Sequence, residues 1–203
     1  MGLPARKFDD VFTYGHYRQW PDDERWELID GVAWSMAAPG IRHQALAARI
    51  YRFFFNWFEG KPCQAFPAPF DVLLAENDEA DDAVSTVVQP DLSVFCDGSK
   101  LREPNARGAP DLALEILSPS TARKDLNEKF RLFERHGVRE YWVIDGGNRS
   151  VQVFRLIDPP ARQTGSESRR QIYDDGELAV GTGRISSRIF PGLTIELDAL
   201  FAD

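Results

Sequence analysis

Sulfur, histidine and net positive charge are all scarce in this chain of 203 residues. It carries two cysteines, three histidines, and 24 Lys and Arg against 32 Asp and Glu, for a formal net charge of −8. Cys63 and Cys96 are too few for a disulfide framework and have no zinc-ligand spacing. A reduced cytoplasmic setting is the simplest inference. His16, His43 and His136 share no ligand spacing, and His43 reads as a helix-start or packing residue rather than a base. No apolar run approaches the ~18 residues that a membrane span needs. Met1 to Lys7 lack the apolar core of a signal peptide, so no membrane partner is expected. A Walker loop, a dinucleotide fingerprint and an H-E-x-x-H motif are all missing.

The charge deficit is partly local. Glu76, Asp78, Glu79, Asp81 and Asp82 crowd one polar stretch, which reads as a solvated hairpin tip. The remainder is only mildly acidic, whereas general nucleic-acid binders carry a basic face. A basic groove would have to be local, and Arg102, Arg107, Arg123 and Lys124 flank the loops where one could form.

What is present is the pattern of a single α/β domain over residues 1–203. Trp26 to Trp34 reads as a hairpin turning at Asp30-Gly31. Leu46, Ile50, Phe53, Phe54 and Trp57 recur at helical spacing, predicting a helix from about Arg42 to Phe58. Gln64 to Leu74 reads as one irregular strand, Asp97 to Gly108 as a polar loop, and the stretch after Ser118-Pro119-Ser120-Thr121 as a helix ending near His136 with Gly137 as C-cap. Glu140 to Asp145 and Ser150 to Leu156 read as strands, residues 158–169 as a loop, and the tail as two or three short strands near 171–173, 178–180 and 193–197.

Two carboxylates stand inside short apolar runs: Asp91 in Val87 to Cys96, and Glu115 in Pro110 to Leu117. Such a group is costly to bury unless it is paired, hydrogen-bonded or bound to metal. Strand alternation puts Asp91 on one face with Ser93 and Phe95, and Glu115 on one face with Asp111, Ala113 and Leu117. If the strands pair, the two carboxylates converge. Oxygen ligands of this kind suit Mg²⁺, or Mn²⁺, rather than zinc. Asp111 shares that face, but an aspartate at strand entry after proline also fits a turn or cap.

The helix after Glu115 offers a cation. With Leu126, Phe130 and Phe133 as the buried stripe, Lys129 lies at its border beside Asp125, and Lys124 points into solvent. Lys129 can then stabilise charge at a phosphate or orient water. The alternative is an Asp125–Lys129 pair at i, i+4, worth ~0.3–0.5 kcal/mol and without catalytic meaning.

These residues, in this order, resemble the putative restriction endonuclease (Uma-type) family of the PD-(D/E)XK nuclease superfamily. The resemblance is carried by Trp26-Glu27-Leu28-Ile29-Asp30-Gly31, His43-Gln44, Gln89-Pro90-Asp91-Leu92, Pro110 to Thr121, Asp125, Lys129 and Gly137 to Asp145. It implies a restriction-endonuclease-like central mixed sheet flanked by helices, with additional β-hairpins. It also implies a metal site at Asp91 and Glu115, with Glu27 as a candidate third carboxylate. The superfamily's E-x-K pattern would put lysine at 117, where this chain has Leu117; the resemblance moves that role to Lys129.

The expectation is therefore a Mg²⁺-dependent endonuclease acting on DNA, with catalytic Asp91, Glu115 and Lys129; homodimers would allow two-strand cleavage by symmetry. The competing reading is a catalytically silent nuclease-fold protein that binds nucleic acid or a protein partner.

Overall fold

The computed structural model describes residues 11–21, 23–119, 121–159 and 170–202. Met1 to Lys7, Ser120 of the expected N-cap turn and most of the expected 158–169 loop lie outside them. In chain order the elements are α1 (Tyr14–Tyr17), β1 (Trp26–Ile29), β2 (Val32–Ser35), α2 (Ile41–Phe58), β3 (Gln64–Pro67), β4 (Val72–Leu73), β5 (Val87–Val88), β6 (Leu92–Phe95), β7 (Leu101–Arg102), β8 (Asn105–Arg107) and β9 (Leu112–Ile116). Then come α3 (Ala122–Lys124), a π-helical segment (Asp125–Lys129), α4 (Phe130–His136), β10 (Glu140–Asp145), β11 (Ser150–Ile157), β12 (Ile172–Tyr173), β13 (Glu177–Val180), β14 (Arg184–Ser186), β15 (Thr194–Glu196) and α5 (Leu197–Leu200).

The strands form two main sheets. The central sheet runs β12-β11-β10-β9-β6-β3, with β13 also on β11; β9 and β10 are parallel and its other pairs antiparallel. One of its faces carries Leu92, Val94, Leu112, Leu114, Trp142 and Ile144, covered by Leu46, Ile50, Phe54 and Phe58 of α2 and by the C-terminal tail. The other carries Phe95, Ala113, Tyr141 and Val143, covered by Leu132 and Phe133 of α4. The second sheet runs β2-β1-β5-β4-β8-β7.

The chain passes between the sheets five times, and two of these passages shape the site. Gln64 to Leu74 is two strands, not the expected single one: β3 joins the central sheet and β4 the second, separated by Ala68 to Asp71. Likewise Val87 to Cys96 is split into β5 and β6, in different sheets, at Gln89-Pro90-Asp91. Asp91 is thus at a crossover rather than inside a strand. The Ala68 N–H donates to the Asp91 carbonyl at 3.2 Å and holds the two crossovers together. Proline fits there because it has no N–H to leave unpaired as the ladder ends.

Several expectations hold. The β1–β2 hairpin turns on Asp30 (φ 50°) and Gly31 (φ 77°), the left-handed pair that a two-residue turn requires. Helix α2 has nearly the expected limits, and Gly137 (φ 81°) caps α4. The polar loop 97–108 is instead largely the β7–β8 hairpin, and β14 was not expected. The cysteines, expected unpaired, form a Cys63–Cys96 disulfide. They stand opposite each other one step beyond the Gln64↔Phe95 pair of β3 and β6, a register that their separation in sequence conceals. Among the described residues no helix is long and apolar enough to cross a membrane.

The acidic stretch is not simply solvated. Asp81 pairs with Arg107 at 2.5 Å and Arg102 at 3.7 Å, Asp82 with Arg18, and Glu76 with Arg135 and His136. Arg102 and Arg107 therefore serve that loop rather than a basic patch.

A buried ionic cluster fastens the tail. Glu140 on β10 is fully buried and accepts hydrogen bonds from Trp142 Nε1 (2.9 Å) and the Arg188 N–H (2.7 Å); Arg155, also buried, lies 3.7 Å away and pairs with Glu177 at 2.7 Å. Removing one member of such a cluster strands the others without water. Glu140→Ala is expected to lower unfolding free energy by about 3 kcal/mol, near the bottom of the range for a broken buried pair because Glu177 remains. Urea unfolding measures this; a loss under about 1 kcal/mol, the scale of an exposed pair, would mean the cluster contributes little.

Candidate active site

The two crossovers open a cleft of about 660 Å³ between α2, the ends of β6 and β9, and the π-helical segment. Leu92 faces Leu114 in the β6–β9 ladder, so one step further Asp91 faces Glu115. Directly opposed residues share a face, and both carboxylates line the cleft. The Ile116 N–H donates to Asp91 Oδ2 at 2.8 Å and fixes that side chain against β9.

Lys129 is almost wholly buried, and its ammonium lies 2.5 Å from Glu115 Oε1 and 2.7 Å from Glu27 Oε1. The expected inward reach of Lys129 is therefore present, and among the described residues it forms no ion pair with Asp125. Lys124 was expected in solvent and is instead buried, paired with Glu27 Oε2. Leu126, expected in the buried stripe, is 43% exposed. One cause accounts for both errors. Residues five apart differ by about 140° on an α-helix, but a π turn bonds i to i+5 and stacks them. The π turn over Asp125–Lys129 thus brings Lys124 and Lys129 to the same face, one on each oxygen of Glu27.

Glu27, on β1, also accepts the Gln89 N–H at 2.8 Å. Both its oxygens are engaged, so it anchors the lysines instead of offering a free ligand atom. Burial opposes its ionisation, but Lys129 and then Lys124 outweigh that and hold its carboxyl at about 2. Burial alone would lower Lys129; Glu115, Glu27 and Asp125 together raise it, so it remains an ammonium. Glu115 moves the other way. Burial raises it well above the usual carboxylate range, Lys129 pulls against this, and Asp125, Asp91 and Glu27 add to the rise. Asp125, buried beside them, is raised by burial, and its Oδ1 has no hydrogen-bond partner. The firm charges are Glu27 and Lys129; Glu115 and Asp125 are carboxyls short of positive charge.

His43, near the N-terminus of α2, was not expected to contribute. Its Nε2 lies 3.2 Å from Asp91 Oδ2, and this hydrogen bond raises its pKa, with burial opposing in part. The only sequence sign was its place in the His43-Gln44 pair that supported the family resemblance. Asp111 is not brought to the cleft. Four residues from Glu115 on β9, roughly 13 Å along a strand, it accepts the Cys96 N–H at 2.8 Å and pairs with Arg139 at 3.2 Å.

The donor set suits a divalent cation in part. Among the described residues no three of His, Cys, Asp and Glu are gathered as a ready-made cation site. Asp91 and Glu115 are two oxygen ligands on one face, and Mg²⁺ commonly takes one or two carboxylates and keeps several waters.

Comparison with known proteins agrees with this architecture. The crystal structure of a putative nuclease belonging to DUF820 from Anabaena variabilis superposes with a TM-score of 0.70, covering 94% of this chain and 98% of that one at 20% identity. At that identity the match establishes the fold. The uncharacterized protein slr1290 of Synechocystis is 24% identical over 145 residues, 70% of this chain and 73% of the relative. The family model described as Uma2, putative restriction endonuclease, matches residues 14–198, and this chain belongs to that family.

Proposed function

We propose that the chain hydrolyses phosphodiester bonds of DNA with a divalent cation, Mg²⁺ or Mn²⁺, held by Asp91 and Glu115. The observation that carries this reading is the opposed register of Asp91 and Glu115, with Lys129 beside them on the same face. Family membership and the likeness to a protein described as a nuclease support it.

When bound, the cation supplies Lewis-acid polarisation of a phosphoryl oxygen and makes nearby water more acidic. The chain's own residues do the rest. The Ile116 N–H and His43 fix the orientation of Asp91, so one ligand is in place before the cation arrives. Glu27 keeps Lys129 charged and restricts its swing. That ammonium stabilises the charge that builds on the phosphate as water adds to phosphorus and the ester P–O bond breaks. Burial strengthens each of these interactions relative to water.

The silent-binder reading has one observation in its favour. Lys129 closes directly onto Glu115, an ion pair complete without a cation. Cation binding distinguishes the two. Asp91→Asn and Glu115→Gln are each expected to abolish Mn²⁺ binding in isothermal titration calorimetry, with the far-UV circular dichroism unchanged. Tight Mn²⁺ binding by both variants would end the metal-site reading.

Activity supplies a separate test. Plasmid cleavage in Mg²⁺ or Mn²⁺ should stop with EDTA and return when the cation is restored. Lys129→Met should keep Mn²⁺ binding yet lose cleavage by about 100-fold or more, the scale of losing one transition-state donor. A cation-binding protein that cleaves neither duplex nor single strands would favour the silent reading.

A further inference from the structure

Four basic side chains line the cleft: Arg25, His43, Lys124 and Lys129. Three of them face carboxylates: His43 with Asp91, Lys124 with Glu27, and Lys129 with Glu27 and Glu115. Arg25 differs. Its Nη2 donates to the Gln89 amide oxygen at 2.9 Å, and among the described residues it has no ion pair. Its Nε is buried without a hydrogen-bond partner. A guanidinium offers five N–H donors in a fixed planar fork, and a neutral amide oxygen satisfies little of it.

The surroundings hold that fork in place. Gln89 Nε2 donates to Asp71 Oδ1 at 2.8 Å and to the Tyr17 hydroxyl at 3.0 Å, while Tyr17 donates to Asp71 Oδ1 at 2.9 Å. This network sets the orientation of the Gln89 amide, leaving its oxygen for Arg25. The Gln89 N–H is bound to Glu27, and two residues on the chain reaches Asp91. Arg25 is therefore tied through one short segment to both the lysine anchor and the carboxylate pair.

Its position is also distinctive. A second cavity of about 340 Å³ adjoins the cleft, and Arg25, Pro69 and Gln89 line both. The second cavity is walled on its other side by Tyr17, Trp20 and Trp26. We propose that Arg25 is a phosphate-binding residue, which takes the phosphate next to the reacting one in a nucleic-acid strand that runs from the cleft into this second cavity. The planar fork matches two non-bridging phosphate oxygens, and the Gln89 amide that holds the fork is neutral, with Asp71 behind Gln89 acting on Arg25 only through space. The proposal rests on the nucleic-acid reading above and assigns that site a further contact.

The test is the salt dependence of binding by the full-length protein. Fluorescence anisotropy of labelled single-stranded and duplex oligonucleotides is read in Ca²⁺ over a range of KCl, for wild type, Arg25→Ala and Arg25→Lys, each checked for an unchanged melting profile. Arg25→Ala should weaken binding about tenfold and reduce the slope of log K against log salt by roughly 0.7–0.9, the loss of one phosphate contact. Arg25→Lys should recover the slope but only part of the affinity, because it keeps the charge and loses the fork. If wild type binds and Arg25→Ala matches it in affinity and slope, the proposal is overturned while the nucleic-acid reading stands. A weakened Arg25→Ala in a protein that never cleaves supports the contact and sinks only hydrolysis. A wild type that binds neither oligonucleotide overturns both.

Discussion

Glu27 is the point on which the site depends. Its carboxylate is fully buried on β1 of the second sheet, yet its partners come from elsewhere: two lysines flanking the π turn and the N–H of a crossover residue. An isolated carboxylate could not remain ionised there. Two lysines and a backbone donor keep it charged, and it in turn helps keep Lys129 charged. The triad joins the second sheet, the crossover and the helix following β9, and so decides where Lys129 stands relative to Glu115. A buried pair is weak evidence for net stability, since the desolvation it requires can exceed the attraction. Here its clearer consequence is position: one ammonium is held against one carboxylate of the cleft.

The π turn is the local device that makes the triad fit. A regular helix would send Lys124 to solvent and leave one oxygen of Glu27 without its ammonium partner. The extra residue in the turn gives up regular i→i+4 bonding over Asp125–Lys129 in exchange for placing two cations on one face. The crossovers make the room. Where the chain leaves one sheet for the other, the β6–β9 ladder stops, and the cleft opens beside Asp91 and Glu115.

What the sequence showed and what it hid divide along the range of the signal. The β1–β2 turn, the apolar stripe of α2, the Gly137 cap and the sharing of one face by Asp91 and Glu115 follow from periods of two and 3.6 residues and from turn chemistry, which are local. Lys129 was legible for the same reason. Lys124 and Leu126 were misplaced because a wheel assumes an unbroken period, and no residue in Asp125–Lys129 announces the interruption. The two-sheet division of Val87 to Cys96, the Cys63–Cys96 bond and the contact of His43 with Asp91 are long-range facts. They depend on register between strands or packing between elements, and a single sequence carries little trace of either. Asp111 shares a strand face with Glu115, but parity says nothing of distance along the strand, and its acceptance of the Cys96 N–H fits the turn or cap alternative.

Charge is distributed in a way that the total conceals. Arginines near the acidic stretch are taken up by acids: Arg102 and Arg107 close on Asp81, and Arg135 on Asp30 and Glu76. None of these residues lines the cleft. Three carboxyls, Asp91, Glu115 and Asp125, line it with Arg25, His43, Lys124 and Lys129, and burial raises Glu115 and Asp125. Glu115 and Asp125 are acids already out of water, where each interaction is stronger than at the surface. A net charge of −8 therefore says little about what the cleft favours. That is set by which charges are already paired.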